Sequence, residues 1–160
     1  MKIALRKISD ERHELVIRSD ENGREAVLCE TRSLLRHDLL HFAVEAEARL
    51  EHGFWGHLAR GKTLADMNDR SGVAMADAGP ELAAIERLVG ALDAAAKGHP
   101  ADEVVAGIRR FHETSGLVAP TWLDVELVRR VQERMRRLLG EWKALPVGGT
   151  MHLSWPPPPA

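Results

Sequence analysis

Hydrophobic and polar residues alternate along the first thirty residues, which is the pattern of half-buried β-strands. An alternating segment begins at Ile3, a β-branched run covers residues 14–18, and a returning segment covers residues 26–30. The pair Asn22-Gly23 lies between the last two segments, and both residue types tolerate the positive φ angles of a type I′ turn. The sequence therefore predicts an N-terminal antiparallel hairpin.

From residue 31 onwards the apolar residues recur with helical spacing. Thr31 and Ser33 are candidate N-caps for a first helix that runs to about Glu51, with Gly53 as its C-terminal stop. Residues 54–61 add a short helical turn between glycines. Residues 61–79 are the best candidate for a loop, in which residues 63–66 could form one capped helical turn.

Three further helices are predicted in the second half of the chain. Pro80 suits a first helical position, and that helix continues over residues 81–97. The next helix covers residues 102–114 and carries Phe111 on its apolar side, together with Val104, Val105 and Ile108. The longest helix covers residues 122–145, and Thr121 with Asp124 resembles a capping box at its start.

Residues 150–155 alternate again, and the edge of the N-terminal strands is the simplest place for such a strand. The prolines that follow cannot donate ladder hydrogen bonds and predict a polyproline II tail. The predicted fold class is α+β: a small antiparallel sheet, from the N-terminal hairpin plus the C-terminal strand, packed against a layer of four or five helices. Residues 1–155 form a single domain in this interpretation, and residues 156–160 form a Pro-rich tail.

Composition narrows the classes of function. A net charge of −2 favours neither nucleic acid nor an anionic membrane surface. No run of apolar residues is long enough to span a membrane, and the charged N-terminal residues do not resemble a signal peptide. Cys29 is the single cysteine, so no internal disulfide can form. These observations predict a cytoplasmic protein.

The candidate chemistry lies in the first long helix. His37 and His41 are four residues apart, and Glu45 follows after four more, so the three side chains share one helical face. Two imidazoles and a carboxylate are a ligand set for a divalent metal such as zinc. Asp38 could orient a histidine or act as a base on metal-bound water. The predicted metal ligands are therefore His37, His41 and Glu45, with Asp38 in support.

Two other interpretations of this face stay open at this point. Polar residues on one side of an amphipathic helix are commonly solvated, and histidines near carboxylates often form ordinary surface hydrogen bonds. The face is not fully polar, because Leu34, Val44 and Ala48 flank the histidines. A buried polar network that lines a pocket is therefore the third interpretation.

The segment His37-Asp38-Leu39-Leu40-His41 resembles the His-Asp-x-x-His motif of the COQ-four family of ubiquinone-biosynthesis proteins. That family places a glutamate about a dozen residues after the second histidine. Gly53 occupies this position here, and Glu51 lies two residues before it. The resemblance covers five residues and no function is carried over from it. The block from Arg36 to Gly56 is also similar to uncharacterised small bacterial proteins, which implies no activity.

Four other features were weighed for function. His112 lies on the packing side of its helix and could add a ligand to the first helix, although a core-edge histidine with one hydrogen bond is the commoner case. Gly53-Phe54-Trp55-Gly56 is either a core plug at the helix end or the aromatic wall of a ligand cleft. Cys29 has no neighbour in sequence that would make it a nucleophile. Five arginines form a basic cluster that is either a salt-bridged surface or a site for a small anion: Arg129, Arg130, Arg134, Arg136 and Arg137.

Two functional hypotheses follow from the sequence. In the first, the protein binds a divalent metal or a small ligand of unknown identity at the His/His/Glu face, with or without enzymatic activity. In the second, the chain is a structural or protein-interaction module that forms a homodimer through the long C-terminal helix and the strand edges. The sequence identifies no substrate and no reaction.

Overall fold

The sheet contains four antiparallel strands in the part of the chain that the structure describes. The computed structural model describes residues 1–69, 79–94 and 99–156. Strands β1 (Lys2–Lys7), β2 (Arg12–Ser19), β3 (Gly23–Glu30) and β4 (Thr150–Ser154) lie in the order β3-β2-β1-β4. Leu5 lies opposite Met151, so the C-terminal strand pairs with β1 at the edge, as the sequence predicted.

The predicted hairpin is confirmed, but its turn differs from the prediction. Ser19 pairs directly with Gly23, so three residues form the loop between β2 and β3. Gly23 has a φ of 67°, whereas Asn22 is not among the residues with positive φ. The expected two-residue type I′ turn is therefore wrong. A three-residue loop closed by a left-handed glycine is the next commonest solution for a hairpin.

Six α-helices follow in the described residues: α1 (Arg36–Ala48), α2 (Phe54–Ala59), α3 (Leu64–Met67), α4 (Gly79–Ala94), α5 (Ala101–Thr114) and α6 (Val125–Ala144). The short helix after Gly53 and the capped turn at Thr63 are both confirmed, the latter by a capping box between Thr63 and Asp66. The predicted end of α4 near Lys97, residues 70–78 of the predicted loop and the Pro-rich tail beyond Pro156 lie outside the described residues.

Both ends of the first long helix differ from the prediction. A π-helical turn (Thr31–Leu35) joins β3 to α1, and neither Thr31 nor Ser33 caps the helix. The Thr31 hydroxyl instead contacts Nδ1 of His13 at 3.2 Å. At the other end, Arg49 adopts a left-handed conformation with φ 54°, and its N–H is directed to the carbonyl of Glu45. The helix therefore stops at Ala48 instead of Glu51.

Two details of the later helices are also corrected. Helix α6 begins at Val125 because the Asp124 carboxylate accepts a hydrogen bond from the Leu127 N–H at 2.6 Å. The capping box expected at Thr121 is wrong, because residues 122–124 are not helical and Thr121 therefore does not adjoin the first turn of α6. Phe111 is 53% exposed and does not share the buried side of α5 with Val104, Val105 and Ile108.

The core lies between the sheet and the helices, with α1 at its centre. Ile3, Leu5 and Leu15 are buried on one face of the sheet. Helix α1 packs against both α4 and α6, and Leu39, Ala43 and Val44 on α1 are fully buried. The predicted α+β class is confirmed. No helix among the described residues is long and apolar enough to cross a membrane.

Candidate metal centre

Two polar residues of α1, His41 and Glu45, lie inside the protein. His41 is 1% exposed and Glu45 is 0% exposed, although both lie on the side of α1 that the sequence pattern marked as polar. The interpretation of this face as solvated surface is therefore wrong for these two residues. Helix α4 and the segment that begins α2 cover this side of α1. Burying an ionisable group costs free energy unless the group has a partner. The contacts of His41 and Glu45 therefore show how this region accommodates them.

Glu45 binds the N-terminus of α2 with its carboxylate. Its Oε1 accepts a hydrogen bond from the Phe54 N–H at 2.8 Å, and its Oε2 accepts from the N–H groups of Trp55 at 3.0 Å and Gly56 at 3.4 Å. The first N–H groups of a helix have no partner within the helix, and a carboxylate there is electrostatically favourable. Burial raises the pKa of Glu45, while His41 and these N–H donors oppose that rise.

Glu45 also fixes the orientation of His41. Nδ1 of His41 lies 3.3 Å from Oε1 of Glu45 and donates to it, since a carboxylate can only accept. On the other side of the ring, Nε2 of His41 lies 3.4 Å from Oε1 of Glu86 on α4. This Nε2 is buried and has no hydrogen bond of good geometry among the described residues. The Nε2–Glu86 contact is therefore an electrostatic contact, and Nε2 lacks a well-aligned hydrogen bond.

The two carboxylates determine the protonation of His41. Burial alone lowers the pKa of His41, but the close contacts and charges of Glu45 and Glu86 outweigh burial and raise the pKa to about 9. The charge of His41 in turn lowers the pKa of Glu86, although burial opposes this effect. With no metal ion bound, His41 is therefore an imidazolium between two carboxylates at neutral pH.

His37 completes a cluster of three side chains that could bind a metal ion. The rings of His37 and His41 lie with centroids 4.7 Å apart and planes inclined by 72°. His37, His41 and Glu86 each offer one ligand atom, and these atoms all lie within 4.8 Å of one another. Burial and the neighbouring charge of His41 lower the pKa of His37, against the opposite effect of Glu86 and Asp93. A neutral imidazole is the form that binds a metal ion, so this group could hold one.

Glu86 was not among the predicted metal ligands, although α4 itself was predicted. The available signal was a pair of acids, Glu86 and Asp93, that lie seven residues apart and therefore on one face of α4. Both contact α1: Asp93 pairs with Arg36 at 2.7 Å, and Glu86 lies beside His41. The two contacts run in opposite directions along the two helices, as expected for antiparallel neighbours. The pairing of α1 with α4 could not be known from the spacing of the acids alone.

Asp38 lies apart from the cluster of His37, His41 and Glu86. It is partly buried near β3. Burial of the Cys29 thiol raises the pKa of that thiol, and the negative charge of Asp38 raises it further. Burial raises the pKa of Asp38 to about 7, against the opposing charge of His41. The ligand roles of Asp38 and Glu45 stay predictions, but the contacts of Glu45 place both of its oxygens against backbone N–H groups.

The other candidates from the sequence have structural partners. His112 is buried and donates from Nδ1 to the Ile108 carbonyl at 2.8 Å, which matches a core-edge histidine. Trp55 is 1% exposed and donates from its indole nitrogen to the Asp38 carbonyl at 3.3 Å, so it fills the core. The raised pKa of Cys29 agrees with the prediction that it is not a nucleophile.

The arginine cluster on α6 pairs differently from the prediction. In a salt-bridged surface, the spacing of four residues would pair Glu126 with Arg130 and Glu133 with Arg137. In the structure Glu126 lies 3.5 Å from Arg129, and Glu133 lies 2.5 Å from Arg136. Arg130 is instead turned toward Glu47 on α1, which spacing within one helix could not reveal.

Comparisons with known proteins assign the chain to no family. No protein-family model matches the sequence, and neither a curated protein nor a solved structure matches the chain. Function is therefore inferred from the geometry of the cluster of His37, His41 and Glu86.

Proposed function

We propose that the protein binds one divalent metal ion of the zinc class through His37, His41 and Glu86. The observation that carries this proposal is the buried Nε2 of His41, which lies between a second imidazole and a carboxylate without a hydrogen bond of its own. Two histidines and a glutamate are a common ligand set of zinc sites that keep a fourth position open. Glu45 supports these ligands through its contact with Nδ1 of His41, and Asp38 supports them from outside the cluster, within range of the charge of His41.

The spacing of the ligand atoms suits such an ion. In a tetrahedral site with bonds of about 2.1 Å, two ligand atoms lie about 3.4 Å apart. Nε2 of His41 and Oε1 of Glu86 are already 3.4 Å apart. The ligand atoms of the whole group lie within 4.8 Å of one another, so the largest separation has to close by up to about 1.4 Å. The partly exposed Glu86 side chain and a rotation of the His37 ring can supply this shift.

Glu45 is a positioning residue in this proposal. A metal-binding histidine usually donates its second ring N–H to a carboxylate, which fixes the tautomer and the ring orientation. The contact from Nδ1 of His41 to Glu45 has this form and leaves Nε2 for the ion. The ion would replace the proton on His41, and the negative charges of Glu45 and Glu86 would then balance the charge of the ion.

Zinc binding by the tag-free chain tests the proposal. After dialysis against a chelator, isothermal titration calorimetry with ZnCl₂ should give one ion per chain. The variants His37→Ala and Glu86→Gln should each lower the affinity by more than about 100-fold, the upper end of the loss for a residue that only supports a ligand. These two side chains are partly exposed, so both variants should fold, whereas His41 is fully buried.

A matched pair of histidines provides the control. His99 and His152 are exposed and lie outside the cluster, so the variant His99→Ala/His152→Ala should bind zinc with unchanged affinity. Absence of stoichiometric zinc, manganese or iron binding by the unaltered chain would contradict the proposal. His41 would then be a structural imidazolium between two carboxylates.

A second candidate function is self-association, and we propose that it uses the edge of β3. This strand pairs with β2 alone in the described sheet. Val27 is 38% exposed and Leu28 is 55% exposed, and exposed apolar residues on an edge strand favour pairing with another strand. The C-terminal helix is a weaker candidate interface, because its apolar stripe is already buried in the core: Leu127, Val128, Val131, Met135, Leu138 and Trp142.

Light scattering after size-exclusion chromatography tests this second proposal. The unaltered chain should elute as a dimer at micromolar concentration, and Leu28→Lys should shift it toward the monomer because a charge would enter the new interface. Val118→Lys is the control, since Val118 is 91% exposed and lies between α5 and α6, away from β3. A monomer at all concentrations would rule out this interface.

A further inference from the structure

A second region of the molecule has the features of a ligand site. A cleft of about 870 Å³ lies between the end of α1, helix α2 and helix α6, and neither His37, His41 nor Glu86 lines it. This volume is within the range of sites for small molecules. The walls combine apolar residues, including Leu50 and Trp155, with the guanidinium groups of four arginines.

Two of these arginines are held in place by one carboxylate. Glu47 on α1 lies with Oε2 3.2 Å from Nε of Arg130 and with Oε1 2.5 Å from Nε of Arg134. A guanidinium group has five N–H donors, and these contacts use only the Nε–H of each arginine. The Nη groups are therefore left as donors beside the cleft. The Arg134 and Glu47 side chains are largely buried, at 16% and 15% exposure, so the Arg134 guanidinium is held in place before any ligand arrives, whereas the Arg130 side chain is 46% exposed.

The charges around the cleft favour an anion. Arg49 and Arg60 also line it, so four guanidinium groups face three carboxylates: Glu45, Glu47 and Glu51. The charge of Glu45 is already bound by backbone N–H groups and by His41. Glu47 neutralises only part of the Arg130–Arg134 pair. The lining of the cleft therefore has a net positive charge.

We infer that this cleft binds a small organic carboxylate with an apolar body. The Nη groups of Arg130 and Arg134 would bind the carboxylate, because the planar guanidinium group matches its two oxygens. Ala46, Leu50, Ala59 and Trp155 provide the apolar surface on which a short alkyl chain or a ring would lie. This inference does not depend on metal binding by the histidine cluster.

Calorimetric titration of the full chain with sodium decanoate, below its micelle concentration, tests the inference. We expect one decanoate per chain. The variant Arg130→Gln/Arg134→Gln should lower the affinity at least about tenfold. Arg129→Gln/Arg137→Gln is the matched control, since it removes the same charge from the same helix outside the cleft, and its affinity should be unchanged. Arg49→Gln alters an exposed residue of the lining and should weaken binding without a risk to the fold.

Two further compounds test separately what the negative charge and the apolar body of decanoate contribute to its affinity. Decyltrimethylammonium has the same alkyl chain with the opposite charge and should not bind. Inorganic phosphate should bind more weakly than decanoate, because it lacks the apolar body. Equal affinity for either compound, no binding of decanoate, or an unchanged affinity in the Arg130→Gln/Arg134→Gln variant would overturn the inference.

Discussion

Replacing Glu45 with alanine should lower the free energy of unfolding by about 3–5 kcal/mol. The substitution removes the acceptor for the N–H groups of Phe54 and Trp55, which would then be unpaired at the start of α2. It also removes one of the two carboxylates beside His41, which is 1% exposed. Unpaired buried donors and a poorly compensated imidazolium are among the most costly single changes in a protein core. Equilibrium unfolding in urea measures the change.

Two further variants test the cause of this loss. Glu141→Ala removes a glutamate from an exposed site on α6 and should change the stability by no more than about 0.5 kcal/mol. Glu45→Gln keeps the shape of the side chain, but its NH₂ group would face backbone N–H groups, so it should recover only part of the loss. A Glu45→Ala variant as stable as Glu141→Ala would mean that water replaces the carboxylate at the start of α2.

The sequence predicted the elements well because their signals are local. Strand alternation before residue 30 and the capping box at Thr63 depend on residues only a few positions apart, and the structure confirms both. The places where prediction failed depend on partners distant in the chain. Helix α1 ends early at Arg49, and the residues that follow lead into α2, which must reach the carboxylate of Glu45. No local pattern contains that requirement.

Only the part of the candidate site that lies within one helix was predicted. His37 and His41 were found because one helix brings them together, and that proximity is a property of helical spacing. Glu86 comes from another helix, so its contribution required the packing of α4 on α1. Spacing also suggested Glu45 as a ligand, since it lies one turn beyond His41. The N–H groups of the next helix, which occupy its oxygens, were not visible in that pattern.

The motif Gly53-Phe54-Trp55-Gly56 illustrates how function and packing are difficult to separate in a sequence. The two aromatic residues suggested either a core plug or a cleft wall, and the glycines seemed to mark only the ends of the segment. In the structure the glycines allow α2 to approach α1 closely enough for Glu45 to bind its first N–H groups. The spacing of the glycines is therefore the informative feature of this motif.

Gly53→Ala and Gly56→Ala should each lower the free energy of unfolding by about 3 kcal/mol. A Cβ atom at residue 53 would lie 2.2 Å from Cδ of Glu45, and one at residue 56 would lie 1.9 Å from the carbonyl oxygen of Glu51. Neither neighbour can move freely, since the first is a buried carboxylate and the second is backbone. Chemical unfolding measures both changes.

Gly140→Ala provides a control of opposite sign for these two glycine variants. Gly140 lies inside α6 with nothing within 4 Å of the added Cβ, so alanine there should raise the stability by about 0.5–1 kcal/mol through its higher helix propensity. The contrast separates close packing from any general effect of replacing glycine. If Gly53→Ala and Gly56→Ala were as stable as the unaltered chain, α2 could lie further from α1 without loss. Glu45 would then not be the group that holds the two helices together.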